Sequence, residues 1–189
     1  NKFILQNDKL QASEYLTKFS RLVRLILENS KETLSSLESE LESLNLYLEL
    51  ETLRFQGRFK YKISVPDELL DAEVKVPPLI IQPFAENAIW HGLMHKPETG
   101  QLDIEISSES DQLYIRITDN GIGREKSHQM ESKSAIMHKS MGQQITMERI
   151  ALLGSRESAK SSIRINDLMA SDGKGAGTEV IIEMPLMYD

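Results

Sequence analysis

The chain of 189 residues contains no cysteine. Disulfides and cysteine-based metal or nucleophile sites are therefore excluded. Aromatic residues make up only 6%, with a single tryptophan. No apolar run reaches the roughly 18 residues that a membrane-spanning helix needs. Proline and glycine are absent from Asn1 to Gln56, so nothing there breaks a helix. Basic residues are outnumbered, 22 Lys and Arg against 29 Asp and Glu, giving a net charge of −7. A general nucleic-acid binder needs a basic face to displace counterions, so no nucleic-acid partner is expected. A basic region leading into an apolar core is also lacking at the start, where Asn1 opens directly into a helical pattern. The chain is expected to be part of a longer protein.

What is present suits a packed, soluble fold: 40% apolar and 27% charged residues. Residues 8 to 55 read as helix. Tyr15, Phe19, Leu22 and Ile26 recur at spacings of four and three. Leu34, Leu37, Leu41, Leu44 and Leu48 do the same, as a heptad seam. The stretch "ENSKET" supplies a break, with Ser30 or Thr33 as N-cap. Such a hairpin has too little core to stand alone. It either packs on the rest of the chain or pairs with a second copy. Leu46, Leu50 and Leu53 widen the stripe and favour pairing.

Beyond Gly57 the texture changes. "FKYKISV" from Phe59, "LDIEIS" (102–107), "QLYIRIT" (112–118), "SSIRIND" (161–167) and "TEVIIEMP" (178–185) read as strands. "SESD" supplies a turn between the second and third. Helical patterns lie at about 79–93 and 142–154. The expected division is a helical region, 1–57, and an α/β domain, 58–189. The expected fold class is α+β: a mixed, mostly antiparallel sheet with helices on one face, preceded by a two-helix hairpin.

Four short stretches carry candidate chemistry. "PPLIIQPFAENAIWHG" sets Glu86, Asn87 and His91 among the helix-core residues Ile80, Ile81, Phe84, Ala88 and Ile89. "TDNGIG" (118–123) follows a strand, "GKGAGTEV" (173–180) precedes one, and "SMG" (140–142) opens a helix. Singly these read as a solvated helix edge, an ordinary turn and common glycine loops. Their order on one chain is another matter. It resembles the ATP-binding pattern of the GHKL superfamily, whose Bergerat-type α/β sandwich it implies. The E-N-A-x-x-H-G core resembles the N-box of LytS-like sensor histidine kinases. "LESELESLNLYLELETLRFQGRF" resembles the dimerisation helix of the same family.

The resemblance implies ATP and Mg²⁺ as cofactors and assigns the residues. Asn87 would offer an amide oxygen to Mg²⁺. Glu86 would help activate the attacking group. Asp119 would accept a hydrogen bond from the adenine amine. Gly121 and Gly123 would let the backbone approach the base. Gly142, at a helix start, would offer N–H groups to phosphate. Gly175, Gly177 and Thr178 would form the far wall, and His91 a further phosphate contact. The polar stretch 124–141, with Arg124, Lys126, Lys133 and Lys139, would form a lid.

Some positions depart from the family pattern. Trp90 stands where a basic residue is common, Ile145 where an asparagine is usual, and "SMG" carries one glycine instead of two. His91 and His95 are four apart, but no third metal ligand is evident. The four histidines, His91, His95, His128 and His138, all lie outside the helical region. The resemblance places the phosphoacceptor in a P-H-F-x-F-N motif upstream of Asn1. It further implies a homodimer through the N-terminal helices, a cognate response regulator, and a membrane anchor upstream of a soluble cytoplasmic portion. The function expected is transfer of the ATP γ-phosphoryl to that histidine. The alternatives are a GHKL ATPase and a nucleotide-binding dimerisation module without kinase activity.

Overall fold

The computed structural model describes residues 9–130, 146, 150 and 161–188. Helix α1 (Lys9–Asn29) and helix α2 (Leu37–Arg54) form the expected hairpin. The break begins within "ENSKET" as expected, but the second helix starts later than a cap at Ser30 or Thr33 would place it. Ser30 ends the first helix, with its N–H on the Ile26 carbonyl and its hydroxyl on that of Leu27. The cap of α2 is Ser36, extended at φ −68°, ψ 145°, whose side chain accepts the Ser39 N–H. The chain before it is held by a partner distant in sequence. Strand β1 (Ser35–Ser36) pairs antiparallel with β3 (Lys75–Val76).

The main sheet contains β2 (Phe59–Ser64), β4 (Gly100–Glu109), β5 (Gln112–Asp119), β6 (Ser162–Met169) and β7 (Gly175–Pro185), in the order β2-β4-β5-β7-β6. Only β2–β4 is parallel. All five strands sit where alternation placed them. Ser110 and Asp111, both at positive φ, join β4 to β5 as a two-residue turn whose twist matches the strands.

One sheet face is apolar: Leu102, Ile104, Leu113, Ile115 and Ile182 are buried. The other carries Arg116 between Glu105 and Glu179, and Arg164 beside Glu183, in loose ion pairs. The apolar face is covered by helix α4 (Gln82–Asn87) and its continuation through Leu93, whose Ile81, Phe84, Ile89 and Leu93 are buried as expected. Short helices α3 (Asp67–Asp71) and α5 (Arg124–Met130) complete the described elements. Helix α5 occupies the start of the stretch expected to form a lid, and the rest of that stretch lies outside the described residues. Of the helix expected at 142–154, Thr146 and Ile150 are described, both helical and buried.

Helix α2 belongs to this core. Leu44 and Leu48 join the same apolar cluster as the sheet, and Leu46 and Leu50 are buried within the chain as well. The width of the stripe therefore reflects burial on more than one side, not a free seam. Glu40, almost fully buried, accepts the N–H groups of Leu79 (2.9 Å) and Ile81 (3.3 Å) at the start of α4. Burial raises its pKa and these amide donors oppose the rise. Among the described residues, no helix is long and apolar enough to cross a membrane.

Candidate functional site

The site forms where β5 and β7 end beside α4. Asp119 is the last residue of β5 and is buried. Its Oδ1 accepts the Gly121 N–H at 2.7 Å, and Thr178, paired with it across the ladder, donates through both backbone and hydroxyl. Burial nevertheless dominates and pushes the carboxyl up to about 6, against those hydrogen bonds and the nearby Lys96. A buried carboxyl shifted this far, at the end of a strand, marks a candidate binding position.

Glycines bring backbone to within touching distance around it. A Cβ on Gly121 would lie 2.5 Å from Gly92, and one on Gly92 would lie 2.9 Å from Asp119 Oδ1. Gly123 (φ +77°) and Gly175 face each other, a Cβ on the former coming 3.0 Å from the latter. Gly177 (φ +141°) lies directly beneath the Asp119 backbone. Asp119, Gly121, Gly123, Gly175, Gly177 and Thr178 are thus gathered at one sheet end. The turn is pinned by Asn120, whose Oδ1 accepts the Gln101 N–H at 2.8 Å and whose carbonyl accepts Lys96 Nζ at 2.9 Å.

Helix α4 and its continuation form the adjoining wall. The winding changes along it: α through Asn87, a π turn over Ala88–Gly92, then a 3-10 turn over Leu93–His95. The Gly92 carbonyl accepts the Ile122 N–H at 3.3 Å, which ties this wall to the glycine loop. Asn87 is anchored through Nδ2 on the Pro83 carbonyl at 2.7 Å, which leaves its amide oxygen for a ligand. His91 is half-buried on the π turn. The change of winding also removes the four-residue α spacing of His91 and His95. No cluster of three metal-ligating side chains occurs among the described residues.

Glu86 is placed differently from the rest. Its Oε1 accepts Gln82 Nε2 at 2.8 Å, and its charge acts on Tyr47 and Glu51 of α2. It faces the helical half rather than the glycine cradle. Burial and these two carboxylates push the Tyr47 phenol up. Burial likewise raises Glu51, against the nearby Arg54. Arg124 is not a free lid cation: its guanidinium makes a bidentate pair with Asp167, both bonds 2.7 Å. Gly142 and Ile145 lie outside the described residues. The sequence reading missed Gly92 and Lys96. Gly92 closes the E-N-A-x-x-H-G core but was given no role there, because the reason for it, contact with Asp119, is tertiary.

Residues 77–187 match the family described as Histidine kinase-, DNA gyrase B-, and HSP90-like ATPase, and residues 1–59 match the one described as Histidine kinase. The sensor protein LytS of Oceanobacillus iheyensis is 35% identical over 140 residues, covering 69% of this chain and 24% of the relative. The sensor histidine kinase BtsS of Escherichia coli is 34% identical over 119 residues, 63% and 21% respectively. The sensor histidine kinase/phosphatase LytS of Staphylococcus aureus is 32% identical over 147 residues, 76% and 25%. The match therefore spans about a quarter of the length of these relatives. Among solved structures, the mycobacterial sensor histidine kinase MprB aligns with a TM-score of 0.53 at 14% identity, covering 82% of this chain and 98% of that one. The catalytic domain of histidine kinase ThkA gives 0.53 at 14%, with 83% and 98% covered. The histidine kinase AdeS of Acinetobacter baumannii gives 0.51 at 16%, with 97% and 84% covered. At these identities the likeness is one of fold.

Proposed function

The chain belongs to the histidine kinase-, DNA gyrase B- and HSP90-like ATPase family, and from that premise we propose that it binds Mg–ATP and passes the γ-phosphoryl to a histidine. The observation that carries this reading is the buried Asp119 carboxylate set in a cradle of glycines. An adenine amine is a donor of the right kind for that carboxylate, and the glycines let the backbones around it pack together with no side chain in the way. Asp119 accepts from the amine, and Thr178 and the Gly121 N–H keep the carboxylate oriented.

Asn87 would hold Mg²⁺ through its amide oxygen, and the ion would neutralise charge on the phosphates. His91 and Gly142 are proposed as further phosphate contacts. Glu86 is proposed to take the proton from the attacking imidazole as the P–N bond forms and the bond to the β-phosphate oxygen breaks. None of the four histidines lies on α1 or α2, so the acceptor is proposed to lie outside residues 1–189.

The partners belong to the same proposal: a second copy through α1, and a response regulator that receives the phosphoryl group. Four apolar side chains of α1 support the first. Leu16, Phe19, Val23 and Leu27 follow spacings of three and four and remain between 38% and 58% exposed. A membrane anchor elsewhere in the protein, with this portion on the cytoplasmic side, completes the reading. So does the division into a dimerisation region, 1–57, and a catalytic domain, 58–189.

The test is calorimetric titration with Mg–ATP, followed by incubation with γ-labelled ATP and a separate protein carrying the acceptor helix. Transfer of label to a base-stable, acid-labile linkage is expected. Release of phosphate without transfer would favour the ATPase alternative, and binding without turnover the signalling-module alternative.

A further inference from the structure

A π turn adds one residue to a helical turn, is rare, and concentrates at functional positions. The one among the described residues holds Trp90 and His91 and delivers Gly92 onto Asp119. The extra residue rotates everything after Asn87 relative to Glu86 and Asn87. The geometry of the site therefore depends on this turn staying wound as it is.

The end of α2 grips it. The Arg54 guanidinium lies 4.5 Å over the Trp90 ring and 5.4 Å from that of Phe55. Phe55 meets the same indole edge-on, with ring centroids 5.0 Å apart and planes at 79°. Phe55 is also the C-cap of α2, its N–H bonded to the Glu51 carbonyl at 2.9 Å. The indole is thus held by the two residues that terminate a helix of the other half. Solvent exclusion does not account for this arrangement. Trp90 is 37% exposed and the Arg54 side chain 52%. Nor does an ion pair fix Arg54, since its contact with Glu51 is long, 3.5 Å. What holds it is the stack, a cation over the face of an indole with a second ring at its edge, beside a side-chain hydrogen bond from the indole to Tyr47 of the same helix.

We infer that Arg54 and Phe55 are positioning residues of the nucleotide site: by gripping Trp90 they hold the π turn, and so set the placement of His91 and Gly92 relative to Glu86 and Asn87. This rests on the reading of the cradle as an ATP site. It makes the end of α2 part of that site although neither residue reaches it. Withdrawal of α2 releases the indole, and the turn loses the contact that keeps it over-wide.

Trp90 is the only tryptophan of the chain, so its fluorescence reports the surroundings of this one side chain. The experiment measures Trp90 emission and Mg–ATP affinity for the 189-residue chain and for Arg54→Ala, Arg54→Lys and Phe55→Leu. Arg54→Ala is expected to shift the emission to the red and weaken ATP binding about fivefold. It should also abolish the change in Trp90 emission that ATP produces in the unaltered chain. Arg54→Lys, which keeps a cation over the ring, is expected to recover part of all three. Should Arg54→Ala unfold, Phe55→Leu keeps apolar bulk without the edge-on ring and carries the same expectation in direction. Unchanged affinity and unchanged ATP response in a folded Arg54→Ala overturn the inference. So does a loss that Arg54→Lys does not relieve. If the unaltered chain itself binds no Mg–ATP, the ATP-site reading fails, and the positioning role falls with it.

Discussion

A Cβ on Gly177 would lie 1.9 Å from the carbonyl oxygen of Asp119. The backbone of β7 passes beneath the residue that defines the site with no room for a side chain. Gly177 also sits at φ +141°, where an L-residue is strained. Gly177→Ala is therefore expected to cost on the order of 3 kcal/mol and to displace Asp119. Gly173, at φ +77° with nothing near its Cβ position, is the control. Gly173→Ala should cost only about 1 kcal/mol, for the backbone conformation. Urea unfolding of the two variants checks the contrast.

Asp119 links stability to pH. Its carboxyl is raised from 3.8 to about 6 in the folded chain, through burial. The folded state therefore holds this proton more tightly than the unfolded one. Its contribution to stability is fully present below the unfolded pKa and is lost as pH rises through about 6. The amount is on the order of 3 kcal/mol. Asp119→Asn should flatten that part of the stability curve, measured by urea unfolding between pH 4 and pH 7.

Nucleotide binding should run the opposite way. The ionised carboxylate accepts from an adenine amine, and the protonated one competes as a donor. ATP affinity is expected to fall as pH drops through about 6. Asp119→Asn should lose on the order of 2 kcal/mol of ATP binding at neutral pH. Titration calorimetry of both proteins across pH checks this, and an Asn variant that binds like the parent would remove Asp119 from the site.

Asn87→Ala should abolish the magnesium dependence of ATP binding while leaving the unfolding midpoint within about 0.5 kcal/mol, as for a half-buried polar side chain off the core. Titrations with and without magnesium measure this. An Ala variant with the same magnesium dependence as the parent would show that another group holds the ion.

Glu40 joins α2 to the start of α4 through two amides. Glu40→Ala leaves both buried donors unmet and is expected to cost about 3 kcal/mol. Glu40→Gln, which keeps one acceptor oxygen, should cost about half as much. Denaturant unfolding resolves the two.

On α1, Phe19→Glu places a charge in the exposed stripe of Leu16, Val23 and Leu27. Sedimentation should show a dimer for the parent chain and a monomer for the variant. A parent that sediments as a monomer at high concentration would refute pairing through α1.

The strands, the paired helices and the order of the motifs were legible because each rests on local periodicity or on a run of special residues. Alternation of Ile and charged residues fixes which face of β4 and β5 is buried, whatever packs on it. Asp119, Gly121, Gly175 and Gly177 could be named because the family resemblance rests on local patterns taken in order, a strand followed by D-N-G and a glycine loop before a strand. What was not legible depended on partners far along the chain. Ser36 rather than Ser30 or Thr33 caps α2, because Ser35 and Ser36 pair with Lys75 and Val76. The leucines that read as a seam on α2 are buried because α1, β2 and β3 close over them. Glu40 reads as a surface carboxylate until two amides 39 and 41 residues away come to meet it. The π turn and the demand for glycine at position 92 arise only when α4 is pressed against Asp119. Sequence determined the elements and the residue types they present. Tertiary contact decided where helices begin, how one of them is wound, and which way Glu86 faces, because those depend on hydrogen bonds and steric limits that no local pattern records.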